Sequence, residues 1–435
     1  MLRVIHDEGS GKETELVMSL DEICRLGAQK MLLTALEAEV AEYVQRYRGE
    51  RDGEGRALVV RNGRARQRQV VCGSGTLSVR ALRVDDRRRD GDGNRCRFTS
   101  RILPPYMRRT PKVAEVLPVL YLRGLSTGDF REALPVLLGP EAAGLSPTTI
   151  TRLTETWTEE YRAFGKRDLS DRDYVYVWAD GIHFNIRLED ERLCTLVLVG
   201  ARPDGTKEVI AVEDGFRESK ESWASLLRDV KRRGMRAPVV AVGDGALGFW
   251  AAVRDVWPET REQRCWVHRL ANVLDKLPKS LQPKAKEALR EMMYAPSRQE
   301  CGELKDTFVA EYGPKYPKAA ESLTTDWEKL LTHFDLPAEH WLHVRTTNVI
   351  ESPFATVRLR QRVTKGAGSR TKGLMMAFKL LTMAEGRWRR LNGAALLPQV
   401  RAGVTFRDGV REERPKKTKR GRKTKRTTTG RRIAA

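Results

Sequence analysis

Three acids in this sequence stand where chemistry explains them better than packing does. Asp180 closes the apolar run "YVYVWAD" and Asp244 closes "APVVAVGD". Glu351 is the one carboxylate among four arginines in "HVRTTNVIESPFATVRLRQR". Asp-Gly after a strand is a common turn signal, so either aspartate alone reads first as a turn residue. Ligands of α/β sheets gather beyond the carboxyl ends of strands, so two such acids are candidates for one shared site. Three carboxylates from separate elements can hold two divalent cations roughly 3.5 to 4 Å apart, one activating a water or a 3′-hydroxyl and one stabilising the leaving oxygen of a phosphodiester. Mg²⁺ suits such oxygen ligands, with Mn²⁺ as a substitute. Arg345, Arg358, Arg360 and Arg362 would then hold a DNA backbone while the acids hold metal.

The balance of charge agrees with a polyanionic partner. The 435 residues carry 80 Lys+Arg against 58 Asp+Glu, a formal net charge of +22, with hydrophobic residues at 40%. That is a folded, basic chain long enough for several domains. No run approaches the length of a membrane span, and "MLRVIHDEGSGKETE" lacks the apolar core of a signal peptide, so a cytoplasmic, nucleoid-associated protein is expected. Six scattered cysteines without a C-x-x-C pair read as reduced thiols. From Arg411 to Ala435 there are twelve Lys/Arg against two Glu and almost no apolar residue, so 406–435 reads as a basic disordered tail.

The elements that must position the acids follow from periodicity and punctuation. Residues 1–110 open with a capping box at Ser19 and Glu22 before a long amphipathic helix. "RQVVCGSGTLSVRALRV" then reads as a β-hairpin around Gly-Ser-Gly, and "DDRRRDGDGNRCR" as a mobile loop. Residues 111–170 read as helix, turn, helix, with Ser126 and Ser146 as N-caps and Gly139 as a stop. Either these helices pack with no DNA role, or the second one reads DNA with Thr148, Thr149 and Arg152 at its exposed start. Residues 171–269 give three strands, a helix, a strand, a helix, the short strand "EQRC" and a helix. This βββαβαβα order is that of a ribonuclease H-like core with a mixed sheet, an α/β fold. Residues 270–343 show no strand and read as an all-α insertion, with Ser297 and Glu300 as a second capping box. Residues 344–405 complete the core with the helix that carries Glu351. Pro353 would break a ladder begun at Asn348, so Ser352 reads as N-cap and Pro353 as the first helical residue, with Glu351 at the lip.

The stretches "VWADGIHF", "VVAVGDGALGFWAAV", "QRCWVHRLANVLDKLP" and "VRTTNVIESPFATVRLRQR", in that order, resemble the IS256 family of bacterial insertion-sequence transposases, relatives of Mutator-like elements. The resemblance runs from the N-terminal helix to about residue 405. It implies a DDE transposase that acts on the terminal inverted repeats of its element and on target DNA, with Asp180, Asp244 and Glu351 as the metal-holding triad. It also implies a copy-out route through a circular intermediate and homo-oligomers on paired ends.

Cys265 and His268 form a C-x-x-H pair that the resemblance includes. They read as packing and hydrogen-bonding residues that seat the insertion, or as a zinc half-site that His340 and His343 would complete. His183 reads as structural or phosphate-facing. Two rivals stay open: a sequence-specific DNA-binding regulator without catalysis, and a ribonuclease H-like nuclease that hydrolyses without joining.

Overall fold

The structure, a computed structural model, describes residues 18–125, 127–138, 142, 147–186, 192–215, 219–245, 247–364 and 366–412. Ser126, Gly139, Ser146 and the chain beyond residue 412 lie outside the described residues, as do the side chains of Thr148 and Thr149. The chain divides into two compact units, one of Met1–Arg167, His183–Leu193 and Pro353–Met383, the other of Asp168–Ile182, Cys194–Ser352 and Ala384–Ala435.

In the first unit, α1 (Leu20–Arg46) opens with the expected capping box: Ser19 Oγ accepts from the Glu22 amide at 3.3 Å, and Glu22 accepts from the Ser19 amide at 3.0 Å. Four strands follow, β1 (Val59–Arg64), β2 (Arg68–Cys72), β3 (Gly75–Val79) and β4 (Leu82–Asp86). β2 and β3 make the expected hairpin, with Cys72 opposite Gly75 across a two-residue turn of Gly73 and Ser74. β1, which the sequence did not announce, pairs antiparallel with β4. Leu36, Val70, Leu77, Val79 and Leu103 close this small core. The charged segment expected to be mobile is anchored instead. Arg88 donates to Asp86 at 2.7 Å and to the Tyr43 hydroxyl at 2.9 Å, and its guanidinium lies 3.3 Å from the centre of the Tyr47 ring. Three helices complete the run, α2 (Pro111–Leu122), α3 (Thr127–Leu138) and α4 (Pro147–Lys166), with Leu117, Phe130 and Leu134 in a common core.

The second unit is built on a five-stranded mixed sheet. Its elements are β5 (Tyr176–Phe184), β6 (Leu193–Ala201), β7 (Lys207–Gly215), α5 (Lys220–Arg232), β8 (Val240–Gly243), α6 (Leu247–Val256), β9 (Arg261–Arg264) and α7 (Trp266–Leu274). This is the element order read from the sequence. The strand order is β7-β6-β5-β8-β9; β6 and β7 are antiparallel, while β5 with β8 and β8 with β9 are parallel. β5 does not stop at Asp180 as expected but runs on to Phe184, because Ile182 and Phe184 continue the inward alternation and are buried.

Side chains alternate across the sheet, and the two faces meet different neighbours. Val177, Ala179 and Ala241 join Trp223, Leu227, Trp250 and Val253 of α5 and α6 in one core. The opposite parity carries Tyr176, whose hydroxyl lies 2.8 Å from His340 Nδ1, and Trp178, whose Nε1 donates to the His343 carbonyl at 2.9 Å. The residues 270–343 form only helices among the described residues: the end of α7, α8 (Gln282–Tyr294), α9 (Arg298–Tyr312), α10 (Pro317–Thr324), α11 (Trp327–Leu330) and α12 (Trp341–Val344), with two 3-10 turns. They enclose their own core around Leu289, Met292, Phe308, Tyr312, Leu323 and Phe334.

The described residues close with α13 (Asn348–Thr364), α14 (Arg370–Glu385), α15 (Leu397–Arg401) and a minimal hairpin of β10 (Phe406–Arg407) with β11 (Val410–Arg411). The first residues assigned to a disordered tail are therefore folded, held by Phe406, which is buried. α13 also departs from expectation. It starts at Asn348 and carries Pro353 inside, since the Thr347 carbonyl accepts from the amides of Ile350 and Glu351 at 2.9 and 3.0 Å. The proline costs one ladder bond, and the buried side chains of Ile350, Phe354 and Val357 hold the helix across it. No described helix is long and apolar enough to cross a membrane.

Candidate active site

Strand register brings the two aspartates together. Tyr176, Val177 and Trp178 of β5 pair in parallel with Val240, Ala241 and Val242 of β8. Two residues further along each strand stand Asp180 and Asp244, on the parity that points away from α5 and α6. Gly243 lets Trp250 pack directly beneath this point: a Cβ there would come within 3.0 Å of the indole. The Trp250 Nε1 donates to the Asp244 carbonyl at 2.8 Å, and Arg264 Nη1 donates to the same oxygen at 2.9 Å. Arg264 is itself buried, bonded to Asp326 at 3.0 Å and stacked 4.7 Å from the Trp250 ring centre. The backbone that carries Asp244 is thus clamped from two sides.

Glu351 arrives from α13. It occupies the first turn, where the exposed amides and the helix dipole favour an acid. β9 pairs with β8 so that Arg264 faces Gly243, and Cys265 follows as the N-cap of α7, with its amide donating to the Gly243 carbonyl at 2.8 Å. His268 lies in the first turn of the same helix. The ligating atoms of Cys265, His268 and Glu351 all fall within 4.8 Å of one another, and His268 Nδ1 is 3.8 Å from Glu351 Oε1.

Electrostatics register the gathering of charge. The Asp180 carboxyl is pushed up to about 7, first by burial and then by the negative charges of Asp244 and Glu351, against the opposing pull of His268. His268 is pushed up to about 9, first through its bond with Cys265, with the charges of Glu351 and Asp244 adding to it against the cost of burial. The charges of Asp244, Glu351 and His268 all act on the Asp180 carboxyl, so these groups lie near one another. The donor set is all carboxylate oxygen at the three acids, which fits a hard divalent ion.

The other sequence candidates divide. His340 and His343 do not join Cys265 and His268 in a four-ligand zinc site. His340 is spent between the Tyr176 hydroxyl and the Gly393 carbonyl at 3.0 Å, and His343 Nε2 accepts from the Asn392 amide at 3.1 Å. Arg345 and Arg360 are buried, which removes them from any surface that faces phosphate. Arg345 donates to the Met293 carbonyl at 2.9 Å and stacks on Tyr294; Arg360 donates to the Leu125 carbonyl at 3.2 Å and stacks on Tyr121. Arg358 and Arg362 are exposed, as are Arg152 and His183.

Sequence reasoning missed Thr347, Arg264 and Trp250. Thr347 precedes Glu351 by four residues, the spacing that places two side chains on one helix face, so its signal was present. Arg264 and Trp250 act through a backbone carbonyl, and no residue pattern announces that.

Comparison with known proteins bears on the whole arrangement. The family described as "Transposase, Mutator family" matches residues 4–384. The chain is 57% identical over 303 residues to the transposase for insertion sequence element IS6120 of Mycolicibacterium smegmatis, covering 70% of this chain and 94% of that one. It is 47% identical over 288 residues to the transposase for IST2 of Acidithiobacillus ferrooxidans, covering 64% and 95%. With the transposase for IS256 in transposon Tn4001 of Staphylococcus aureus it is 24% identical over 357 residues, covering 81% and 87%. The matched span contains both aspartates, the glutamate and the sheet that gathers them, and this chain belongs to the Mutator family of transposases, enzymes that cleave DNA and transfer strands.

Proposed function

We propose that this transposase uses Asp180, Asp244 and Glu351 as the DDE triad of a ribonuclease H-like core, to cut the ends of its element at terminal inverted repeats and join them to target DNA. The observation that carries the reading is the convergence of three carboxylates from β5, the turn after β8 and the first turn of α13, close enough that the two others raise Asp180. The family implies a divalent metal, and the three acids fit Mg²⁺, with Mn²⁺ as a substitute. An ion bound there supplies Lewis-acid stabilisation of the charge that develops at the phosphodiester.

The chain's own residues do the rest. Asp180 is carried by β5 and Asp244 is held at its carbonyl by Trp250 and Arg264, so both stand on pre-organised backbone. Arg358, Arg362 and Arg152 are exposed, and in this reading they neutralise backbone phosphates. Two displacements balance the reaction. In the first, a water oxygen bonds to the phosphorus at the element's end, the P–O3′ bond breaks, and the element's 3′-hydroxyl leaves while the phosphate stays on the flanking 5′ end. In the second, that hydroxyl oxygen forms a bond to a target phosphorus, the target's own P–O3′ bond breaks, and a target 3′-hydroxyl leaves. No covalent link to the protein is required. Copies of the chain acting together on paired ends, with a circular intermediate, complete the proposal.

The test is purified protein with terminal-repeat DNA and labelled target in Mg²⁺. Nicking at the repeat ends followed by strand joining is expected. Binding without cleavage would return the regulator reading, and hydrolysis without joining would return the nuclease.

A further inference from the structure

Glu351 does not stand alone at the start of α13. The Thr347 hydroxyl donates to Glu351 Oε1, and Thr347 Oγ1 also lies 3.2 Å from Cys265 Sγ and 3.4 Å from His268 Nδ1. The Thr347 amide in turn donates to Cys265 Sγ at 3.3 Å. Three groups from two helix starts meet at one hydroxyl.

A hydroxyl has one proton to give and two lone pairs with which to accept. A carboxylate can only accept, so the Thr347 proton goes to Glu351. The lone pairs are left for groups that can donate, and the Cys265 thiol and an Nδ1–H of His268 are the two at hand. The hydroxyl therefore touches each of Cys265, His268 and Glu351, whose ligating atoms fall within 4.8 Å of one another. The bond engages Oε1 and leaves Oε2 as the oxygen available to a cation.

We infer that Thr347 is the positioning residue for Glu351: backed by Cys265 and His268, its hydroxyl fixes one carboxylate oxygen and so sets the rotamer that presents the other. This rests on the reading of Glu351 as the third carboxylate of the triad. Groups that orient a metal ligand in this way change metal affinity or activity by about 10- to 100-fold when removed.

The experiment compares wild type, Thr347→Val and Thr347→Ser as full-length, DNA-free proteins. Valine keeps the shape and removes the hydroxyl; serine keeps the hydroxyl. Mn²⁺ affinity is read by electron paramagnetic resonance, folding by thermal melts, and strand transfer is titrated with Mg²⁺. Thr347→Val is expected to weaken Mn²⁺ binding by about tenfold or more and to raise the Mg²⁺ requirement, and Thr347→Ser to restore most of both. Wild-type Mn²⁺ affinity in Thr347→Val overturns the inference, as does an equal loss in the serine variant. It is also overturned if wild type binds Zn²⁺ and Cys265→Ser abolishes that binding, because the cluster would then be a metal centre and the hydroxyl no hub. Failure of the underlying reading is separately visible: Glu351→Gln would itself keep wild-type Mn²⁺ affinity.

Discussion

Asp180 on β5 and Asp244, the residue directly after β8, each stand two residues beyond the paired Trp178 and Val242. The parallel register of the two strands thus brings both aspartates to the same end of the sheet. Replacing either by asparagine keeps the volume and removes a charged oxygen. Strand transfer by Asp180→Asn or Asp244→Asn is expected to fall by roughly a thousandfold or more, about 4 kcal/mol of barrier, while terminal-repeat binding persists. Single-turnover joining on pre-nicked DNA, at matched occupancy, checks this. Near-wild-type joining by either variant would take that aspartate out of the site.

The same crowding has a cost in the metal-free protein. Asp180 has its folded pKa raised to about 7, so between its ordinary value and 7 the folded state holds a proton that the unfolded state has lost. Stability therefore falls as pH rises through that window and levels off above it. Asp180→Asn carries no such penalty. In EDTA it should be more stable than wild type at pH 8, by roughly 2–4 kcal/mol, with the advantage shrinking toward pH 4. Urea unfolding across this range measures it, and a variant less stable than wild type at pH 8 would contradict the burial of a strained carboxylate.

Glu351 should separate the metals. Glu351→Gln loses a charged oxygen at the first turn of α13, so joining in Mg²⁺ is expected to fall by at least about a hundredfold, and Mn²⁺, which accepts less ideal coordination, to restore part of it. If the acid merely offset the charge of nearby arginines, its neutral replacement would spare the chemistry and cost little stability. Wild-type rates in Mg²⁺ would establish that outcome.

Much of this site was legible because it depends on short-range patterns. Apolar runs ending in Asp-Gly announced β5 and β8, and two apolar runs around the turn Pro203-Asp204-Gly205 announced β6 and β7. What was not legible depends on distant partners. Gly181 reads as a break, yet β5 passes through it because Ile182 and Phe184 find buried places further on. Pro353 reads as a helix start, yet the Thr347 carbonyl begins α13 earlier. β1 has no apolar residue beyond Val59 and Val60 and exists through its pairing with β4. Above all, a sequence gives an arginine's charge and not its destination: Arg345 and Arg360 are drawn inward by carbonyls and tyrosine rings far away in the chain.

That destination divides the arginines around Glu351 into two kinds with opposite behaviour. Arg345→Ala strips a buried donor from the Met293 carbonyl and a cation from the Tyr294 face, and Arg360→Ala does the same to Leu125 and Tyr121. Each should cost roughly 2–3 kcal/mol of stability, since a bond to a charged donor and a desolvated stacking contact are lost together. Any loss of DNA affinity in these two should follow from unfolding and vanish when folded protein is counted. Arg358 and Arg362 are exposed, so their alanine variants should melt within about 0.5 kcal/mol of wild type. If they hold phosphates, each should instead lower the steepness of the salt dependence of DNA binding by about 0.9 in the log-log slope, without changing which sequence is preferred. Fluorescence anisotropy at several salt concentrations, beside thermal melts of the same preparations, distinguishes the two classes. An unchanged slope in Arg358→Ala and Arg362→Ala together would mean that this exposed stretch of α13 does not face the DNA backbone, and would leave Glu351 as the part of the helix that acts on it.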